Sequence, residues 1–250
     1  MTSISVVIPA LNDAELLRTC LEALRQQNRP ADEIIVVDNG SEDATAAVAR
    51  AAGVTVLTQP IRGIFVASAL GYNAAASDII ARLDADSIPA PDWLEVVERE
   101  LDRGPSLSAI TGPASFYGGP AVWRWFGEHI YIPSYYLLMK RLTGHTAVFG
   151  SNFAMHREVW ESVRASVDLS DPELHDDMHL TIQLGPEVTV RYVSGLSVGV
   201  SARPFSSIGA IAQRVRWGRH TIRRGAMERR YSSRRAEFRR LHPRQRILPD

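Results

Sequence analysis

Five short runs of nearly unbroken apolar, β-branched residues recur along the first half of the chain: SISVVIP (3–9), EIIVVD (33–38), VTVL (54–57), DIIARLD (78–84) and SLSAITG (106–112). A strand that alternates apolar and polar residues buries one face. A run that is apolar at almost every position is buried on both, the habit of parallel sheets covered by helices. The gaps carry helical patterns. Leu16, Leu17, Cys20, Leu21 and Leu24 recur at helical spacing behind Asn12 and Glu15, which predict a capping box. Further helices are expected over 41–52, closed by Gly53, and over 91–102, closed by Gly104. This alternation predicts an α/β fold with a mostly parallel central sheet and helices on both faces. The chain has 250 residues, 45% of them apolar, which is enough for such a core.

Beyond residue 112 the pattern loosens. SFYGGPAVWRWFGEHIYIPSYY is aromatic, glycine-rich and poor in periodicity, which suits a pocket wall or a lid. An ordered part then returns with GSNFAMHREVW (150–160), HDDMHLTIQLG (175–185) and a strand-like VTVRYVSGLSVGVS (188–201). The expected organisation is one domain over 1–202, in two halves (1–112 and 113–202), with an arginine-rich helical extension over 203–250. The net charge of zero hides a split. Residues 1–202 carry 14 basic and 25 acidic side chains, and 203–250 carry 14 and 3. Such a tail suits a solvated appendage, an anionic membrane surface or a phosphate-rich partner; nucleic acid is not an expected partner. A single cysteine, Cys20, forms no internal disulfide, and no leader pattern opens the sequence. IYIPSYYLLM (130–139) is too short and polar to span a bilayer. The expected location is the cytoplasm, peripheral at the inner face of the plasma membrane if the tail meets lipid.

Ligands of open α/β sheets bind at the carboxyl ends of the strands, where strand order reverses. Asp38 ends one run, and Asp84-Ala85-Asp86 ends another. Two carboxylates one residue apart cannot both share the buried face of a strand. Either they form a solvated strand-end turn, or they serve a ligand. A cation resolves the crowding if the ligand is a diphosphate, because Mg²⁺ or Mn²⁺ takes few protein carboxylates and completes its shell with phosphate oxygens and water.

Taken together, SVVIPALNDAELLRTCLEAL, EIIVVDNGSEDAT, the G-x-x-x-A-x-x-x-G-Y-N segment at 63–73 and IIARLDADSIPAPDWL resemble the family-2 inverting glycosyltransferases with the GT-A, Rossmann-like fold. The likeness continues through GSNFAMHREVW, similar to that family's acceptor-side segment with Gly150 and Asn152, and through Asp176-Asp177, in the place of its Glu-Asp pair. It ends at Gln213-Arg214-Val215-Arg216-Trp217, which matches the QxxRW signature of polysaccharide synthases and glycolipid-forming members. The resemblance implies transfer of a sugar from a nucleoside-diphosphate sugar to an acceptor hydroxyl, with Mg²⁺ or Mn²⁺. It implies that Pro9, Ala10, Asn12 and Asp13 line the nucleotide site with Asp38 at the base or ribose. Asp84 and Ala85 then face the nucleotide, Asp86 the metal, and Arg62 the diphosphate. It makes Asp177 the general base beside Asp176, and sets Gln213, Arg216 and Trp217 near diphosphate and acceptor. The QxxRW likeness and the basic tail favour a lipid-linked or glycolipid acceptor, in cell-envelope chemistry.

The sequence departs from the family in having Asp176 where Glu is usual, and it lacks the long membrane segments of processive synthases. Two other patterns carry little. Gly195-Leu196-Ser197-Val198-Gly199 fits G-x-S-x-G, but apolar alternation continues on both sides where a helix should follow the serine. His175 and His179 stand four apart, but in HDDMH rather than H-E-x-x-H, and the sequence leaves His175, His179 and His220 open as a further ligand to the sugar-nucleotide metal. Asp176-Asp177 alone is also what a helix dipole favours in a first turn, and Trp217 alone is also what core packing favours. The alternatives are a sugar-phosphate nucleotidyltransferase, which lacks its lysine-bearing phosphate loop here, and a non-catalytic nucleotide-sugar-binding protein.

Overall fold

The computed structural model describes residues 2–205, 208–228 and 231–241; the remainder, including 242–250 of the arginine-rich extension, lies outside the described residues. The strands are β1 (Ile4–Ala10), β2 (Glu33–Asp38), β3 (Thr55–Thr58), β4 (Ile79–Arg82), β5 (Ser87–Pro89), β6 (Ser108–Thr111), β7 (Ala114–Tyr117), β8 (Phe153–His156), β9 (Thr189–Tyr192) and β10 (Val198–Ser201). Helices α1 (Ala14–Arg25), α2 (Thr45–Ala51), α3 (Ile64–Ala74) and α4 (Trp93–Asp102) fill the first half. The second half holds α5 (Ala121–Phe126), α6 (Ile132–Thr143), α7 (Arg157–Val163), α8 (Asp176–Gln183), α9 (Ile208–Glu228) and α10 (Tyr231–Leu241).

Seven strands form one sheet in the order β3-β2-β1-β4-β8-β6-β9, and β5-β10-β7 form a small second sheet. In the large sheet every neighbouring pair is parallel except those of β8, which runs antiparallel to β4 and β6. The unbroken apolar runs are explained by burial on both faces. Ile4, Val6 and Ile8 of β1 join Leu17 and Leu24 of α1 and Trp93 of α4, whereas Val7 joins Phe65 and Tyr72 of α3 and Trp160 of α7. The period of two thus sends successive residues to opposite helix layers, and each fully buried Ile or Leu contributes about 1.5–3 kcal/mol. Helix α3 lies directly on β1: a Cβ at Gly71 would stand 2.3 Å from Val7 Cγ1, so glycine there sets the helix-to-sheet distance.

Three expectations change in detail. The capping box does not form: α1 begins at Ala14 with no side-chain cap, because Asn12, at φ 54°, turns its Oδ1 to the Glu42 N–H at 2.8 Å. The loosely periodic stretch after 112 holds β7 and then α5 and α6, joined by a π-helical turn over Gly127–Tyr131. Its aromatic residues hid the helix because they pack inward against Phe116 and Phe205 as well as along the helix. The strand-like stretch over 188–201 is two strands in different sheets, β9 and β10, and Ser197 runs straight into β10 with no helix behind it. Among the described residues no helix is long and apolar enough to cross a membrane.

Candidate active site

Strands β1, β2 and β4 are parallel neighbours and end at one edge of the sheet, with β1 between the other two. The chain therefore leaves in opposite directions from either side of β1, and a crevice opens there. It is a cleft of about 380 Å³ lined by Pro9, Ala10 and Asp13 after β1, Asn39 after β2, Asp84, Ala85 and Asp86 after β4, and His175, Asp176, Arg214 and Trp217 from the second half. An inner cavity of about 100 Å³ shares Asp84, Asp86, His175, Asp176 and Arg214 with it and adds Arg82, Gly150 and Asp177. A larger groove of about 680 Å³ between α1 and α2 lies on apolar residues such as Leu21 and Val48, away from these carboxylates, and holds no comparable set of acids.

The turn after β4 shows how one chain places two aspartates. The Ser87 Oγ accepts the Asp84 N–H at 3.1 Å, and the Ser87 N–H returns to the Asp84 carbonyl at 3.0 Å. Ala85 is buried, and the two acids part. Asp84 turns inward, where its Oδ1 is 2.9 Å from Arg82 Nη2 and its Oδ2 accepts from the Ser151 hydroxyl. Asp86 turns into the cleft beside Arg203, whose guanidinium is 3.6 Å from Asp86 and 2.7 Å from Asp13. Burial, with the Asp84 and Asp13 carboxylates nearby, pushes Asp86 up to about 7, against the pull of Arg203 and Arg214.

The second acidic pair stands at the start of α8. Arg82 is 1% exposed and reaches Asp176 at 2.9 Å with the same Nη2 that holds Asp84, so one buried guanidinium joins the two motifs. The adjacent Asp177 faces elsewhere: its Oδ2 accepts the Gly150 N–H at 2.9 Å and its Oδ1 lies 2.8 Å from His175 Nδ1. Burial raises the Asp176 carboxyl, although Arg82 opposes it. Burial also works against an ionised Asp177, but His175, the Gly150 N–H and Arg82 together outweigh it and lower that carboxyl. Reciprocally, burial opposes a charged His175, and Asp177 and Asp176 overcome it and raise the imidazole. Among the described residues His175, Asp176 and Asp177 also have ligand atoms within 4.8 Å of one another. Arg82, Gly150 and His175 already use those carboxylates.

The expected site residues divide by where they sit. Pro9, Ala10, Asp13, Asp84, Ala85, Asp86, Gly150, Asp176, Asp177 and Trp217 line the cleft or its inner cavity. Gln213 stands at the outer rim with Asp86, Arg203 and Trp217. Asp38 is buried at the end of β2 and accepts from the Ser41 N–H at 3.3 Å. Asn12, Arg62 and Arg216 do not line the cleft: Asn12 bridges to the 41–42 turn, Arg62 pairs with Glu42 at 2.9 Å, and Arg216 reaches Glu173 at 3.4 Å. Arg214, not among the expected site residues, lines the cleft in place of Arg216, because the phase of α9 turns residues 214 and 217 toward it. His179 is fully buried, with its Nε2 accepting from the Asp168 N–H.

Asn152 is a core residue. Its Oδ1 accepts from the Trp93 indole at 2.9 Å, and its Nδ2 donates to the Pro113 and Leu196 carbonyls at 2.9 and 2.6 Å, with no exposed surface. Asn152→Ala leaves three buried polar groups without partners and is expected to cost about 2–4 kcal/mol of stability, read as a lower urea midpoint. Unchanged stability with weakened acceptor use would instead return Asn152 to the site.

Arg82, Arg203 and Asn39 were not expected as site residues, and His175 was expected only as one of three histidines open to the metal. Asn39 ties the 59–63 segment to the end of β2, donating to Gln59 and Ile61 carbonyls and accepting the Gly63 N–H. Arg82 had a signal: an arginine inside an apolar strand run is buried only when acids pair with it. Arg203 had none, since it belongs to a tail of many arginines.

A family model described as Glycosyl transferase family 2 matches residues 5–164. Glycosyltransferase AglE of Haloferax volcanii is 35% identical over 117 residues, covering 44% of this chain and 36% of AglE. An uncharacterized glycosyltransferase of Mycobacterium tuberculosis is 40% identical over 111 residues, covering 44% of this chain and 48% of that protein. The matched stretch is thus less than half the length of either relative. Among solved structures, the crystal structure of Mycobacterium tuberculosis glucosyl-3-phosphoglycerate synthase has a TM-score of 0.65 and 22% identity, covering 90% of this chain and 80% of that one. A complex of that synthase with Mn²⁺, UDP and glucosyl-3-phosphoglycerate has a TM-score of 0.62 at 23% identity, covering 88% and 80%. These likenesses carry the fold, the sheet of strands and helices described above.

Proposed function

The chain belongs to glycosyl transferase family 2, and from that premise we propose that it moves a sugar from a nucleoside-diphosphate sugar to an acceptor hydroxyl with inversion at the anomeric carbon. The observation that carries this reading is the row of acids along two adjoining cavities: Asp13 lines only the outer cleft, Asp177 lines only the inner cavity, and Asp86 lines both. Inversion requires a base on the face of the sugar opposite the leaving diphosphate. Asp177 is the base of this proposal, and Asp176, tied to Arg82, fixes the start of α8 beside it. His175 and the Gly150 N–H orient the Asp177 carboxylate and keep it ionised.

The residues at the mouth fit a divalent cation, Mg²⁺ or Mn²⁺. Asp86 and Asp13 are hard oxygen donors, and the cation now between them is the Arg203 guanidinium. When bound there, the metal would offset charge developing on the leaving diphosphate. Arg214 offers planar, charge-assisted hydrogen bonds to phosphate oxygens. Trp217 lines the cleft with an indole N–H that is buried and without an acceptor, a donor for a ligand. Pro9, Ala10 and Asp38 stand for the base and ribose. The synthase whose fold is shared has been crystallised with UDP and Mn²⁺, so UDP is the first nucleotide to try. A lipid-linked or glycolipid acceptor, and peripheral attachment to an anionic membrane through α9 and α10, complete the proposal. They are supported by the arginines of those two helices.

Titration calorimetry with UDP and GDP, with Mn²⁺ or with chelator, tests the mouth of the site. Binding should need the metal, and Asp86→Asn should weaken it by at least about tenfold, the loss of one charged ligand. Because Asp86 ionises near 7, metal-dependent binding should also strengthen from pH 6 to pH 8 in the native chain. A variant with unchanged, metal-dependent affinity would place the cation elsewhere. Release of free sugar from a bound donor separates a transferase from a binding protein.

A further inference from the structure

We propose that the outer face of the helical segment 121–143 is a docking surface for an anionic lipid membrane, seated by apolar side chains and flanked by the arginines of α10. It rests on the membrane part of the proposed function and gives that part an apolar face, where the tail supplies charge alone. Helix α5, the π-helical turn and α6 follow one another without a break, so the segment is a single rod along the molecule's surface. Its inner residues Gly127, Ile132 and Met139 are buried. Its outer face carries Val122, Trp125, Ile130, Leu137 and Leu138, exposed by 63, 54, 43, 39 and 45%.

Five large apolar residues in 17 positions, all on one exposed side, are not scattered surface residues but one stripe. The π-helical turn joins the two parts of the stripe: Val122 and Trp125 stand before it, Ile130 within it, and Leu137 and Leu138 after it. Trp125 also stacks on His129 with ring centroids 5.2 Å apart, which gives the stripe the flat amphipathic ring that suits the boundary between acyl chains and headgroups.

The charge beside the stripe decides between occupants. Helix α10 packs against α6: Arg235 Nη1 donates to the Arg141 carbonyl at 2.9 Å, and Phe238 is buried against His145. That contact leaves Arg141, Arg235 and Arg240 exposed at the C-terminal end of the stripe, and Glu237 is the one acid in the α10 sequence. A second copy of this chain would bring arginines toward arginines, whereas an anionic headgroup layer meets both the apolar face and its basic border. The same rod has a second use. Tyr131 and Tyr135 on its inner side line the cavity that holds Asp177, so seating the outer face on lipid brings that wall of the cavity to the membrane boundary.

Flotation of the full chain with phosphatidylglycerol-containing vesicles and with pure phosphatidylcholine vesicles tests this. The native chain should float with the anionic vesicles, and Trp125→Ser combined with Leu138→Glu should reduce recovery by at least about tenfold. Arg235→Glu with Arg240→Glu should reduce it as well and weaken its salt dependence. UDP affinity with Mn²⁺, measured without vesicles, should not move in either variant, since none of the four side chains lines the cleft or its inner cavity. If the Trp125/Leu138 variant floats like the native chain, the tail alone holds the membrane and the docking face is wrong. If no protein floats with any vesicle, both the docking face and the membrane part of the proposed function fail, while nucleotide binding stands. A native dimer that this variant splits, without vesicle binding, would assign the stripe to a second copy and overturn the proposal.

Discussion

Asp177→Asn should lower turnover by about 10²- to 10⁴-fold while nucleoside-diphosphate affinity stays within about twofold, the signature of a lost proton acceptor rather than a lost binding group. The substitution keeps the shape that accepts the Gly150 N–H. It removes the charge that faces His175 at 2.8 Å. The base must already be ionised at neutral pH, and the surroundings secure that: burial pushes Asp177 up, and the His175, Gly150 and Arg82 contacts outweigh it and lower it below the usual carboxylate range. His175→Gln removes the largest of those opposing contacts. The Asp177 pKa should then rise, and the acid limb of the turnover profile should shift to higher pH with a smaller loss at its plateau. Single-turnover measurements with chemistry rate-limiting decide the assignment. Near-native turnover of Asp177→Asn would move the base elsewhere, and a His175→Gln variant as slow as Asp177→Asn at every pH would make the imidazole itself the acceptor.

The sheet was legible because its signal is local and strong. A strand such as SISVVIP declares its burial on both faces without help from the rest of the chain, and β1 and β2 lie where the pattern places them. The β8 strand was harder to read, since FAMH is four residues long and its antiparallel position between β4 and β6 depends on partners far away in sequence. The helical segment 121–143 was hidden by its environment. A helix that packs aromatic rings inward and leaves Trp125 and Leu138 outside has no polar face to mark its period.

Within the cleft, the acids were legible and their partners were not. Asp84, Asp86 and Asp177 stand in motifs of the family resemblance, and each lines the cleft or its inner cavity. The counter-charges come from arginines whose roles depend on packing. In the QRVRW segment the sequence alone favours Arg216, whereas the phase of α9 brings Arg214 to the cleft and leaves Arg216 with Glu173. The arrangement has an energetic logic. Three acids, the buried Asp176 and Asp177 and the partly exposed Asp84, surround a single guanidinium and an imidazole, so each group holds its charge only while the others are in place.

Arg82→Met should therefore destabilise the protein by about 3–5 kcal/mol, because it strands the buried Asp176 carboxylate and takes the ion pair from the partly exposed Asp84. Methionine keeps much of the volume in β4, so loss of packing accounts for only a small part of this. The pH dependence separates the two causes. In the native chain burial already raises Asp176, and Arg82 is the main group opposing that rise. Without Arg82 the folded-state pKa of Asp176 climbs further above its unfolded value. The native state then binds more protons than the unfolded one, and stability falls as pH rises through the region between those two values. The deficit of the variant should accordingly be largest near pH 8 and should shrink as the pH is lowered toward the unfolded carboxylate pKa of about 4. A cavity in the core would show no such slope. Adding Asp176→Asn to Arg82→Met should recover part of the loss at pH 8, since the second change removes the charge that the first one stranded. Urea unfolding of the single and double variants at pH 5 and pH 8 measures all of this. A loss that is equal at both pH values and additive with Asp176→Asn would show that Arg82 acts by filling space, and that the two acidic motifs are not coupled through it.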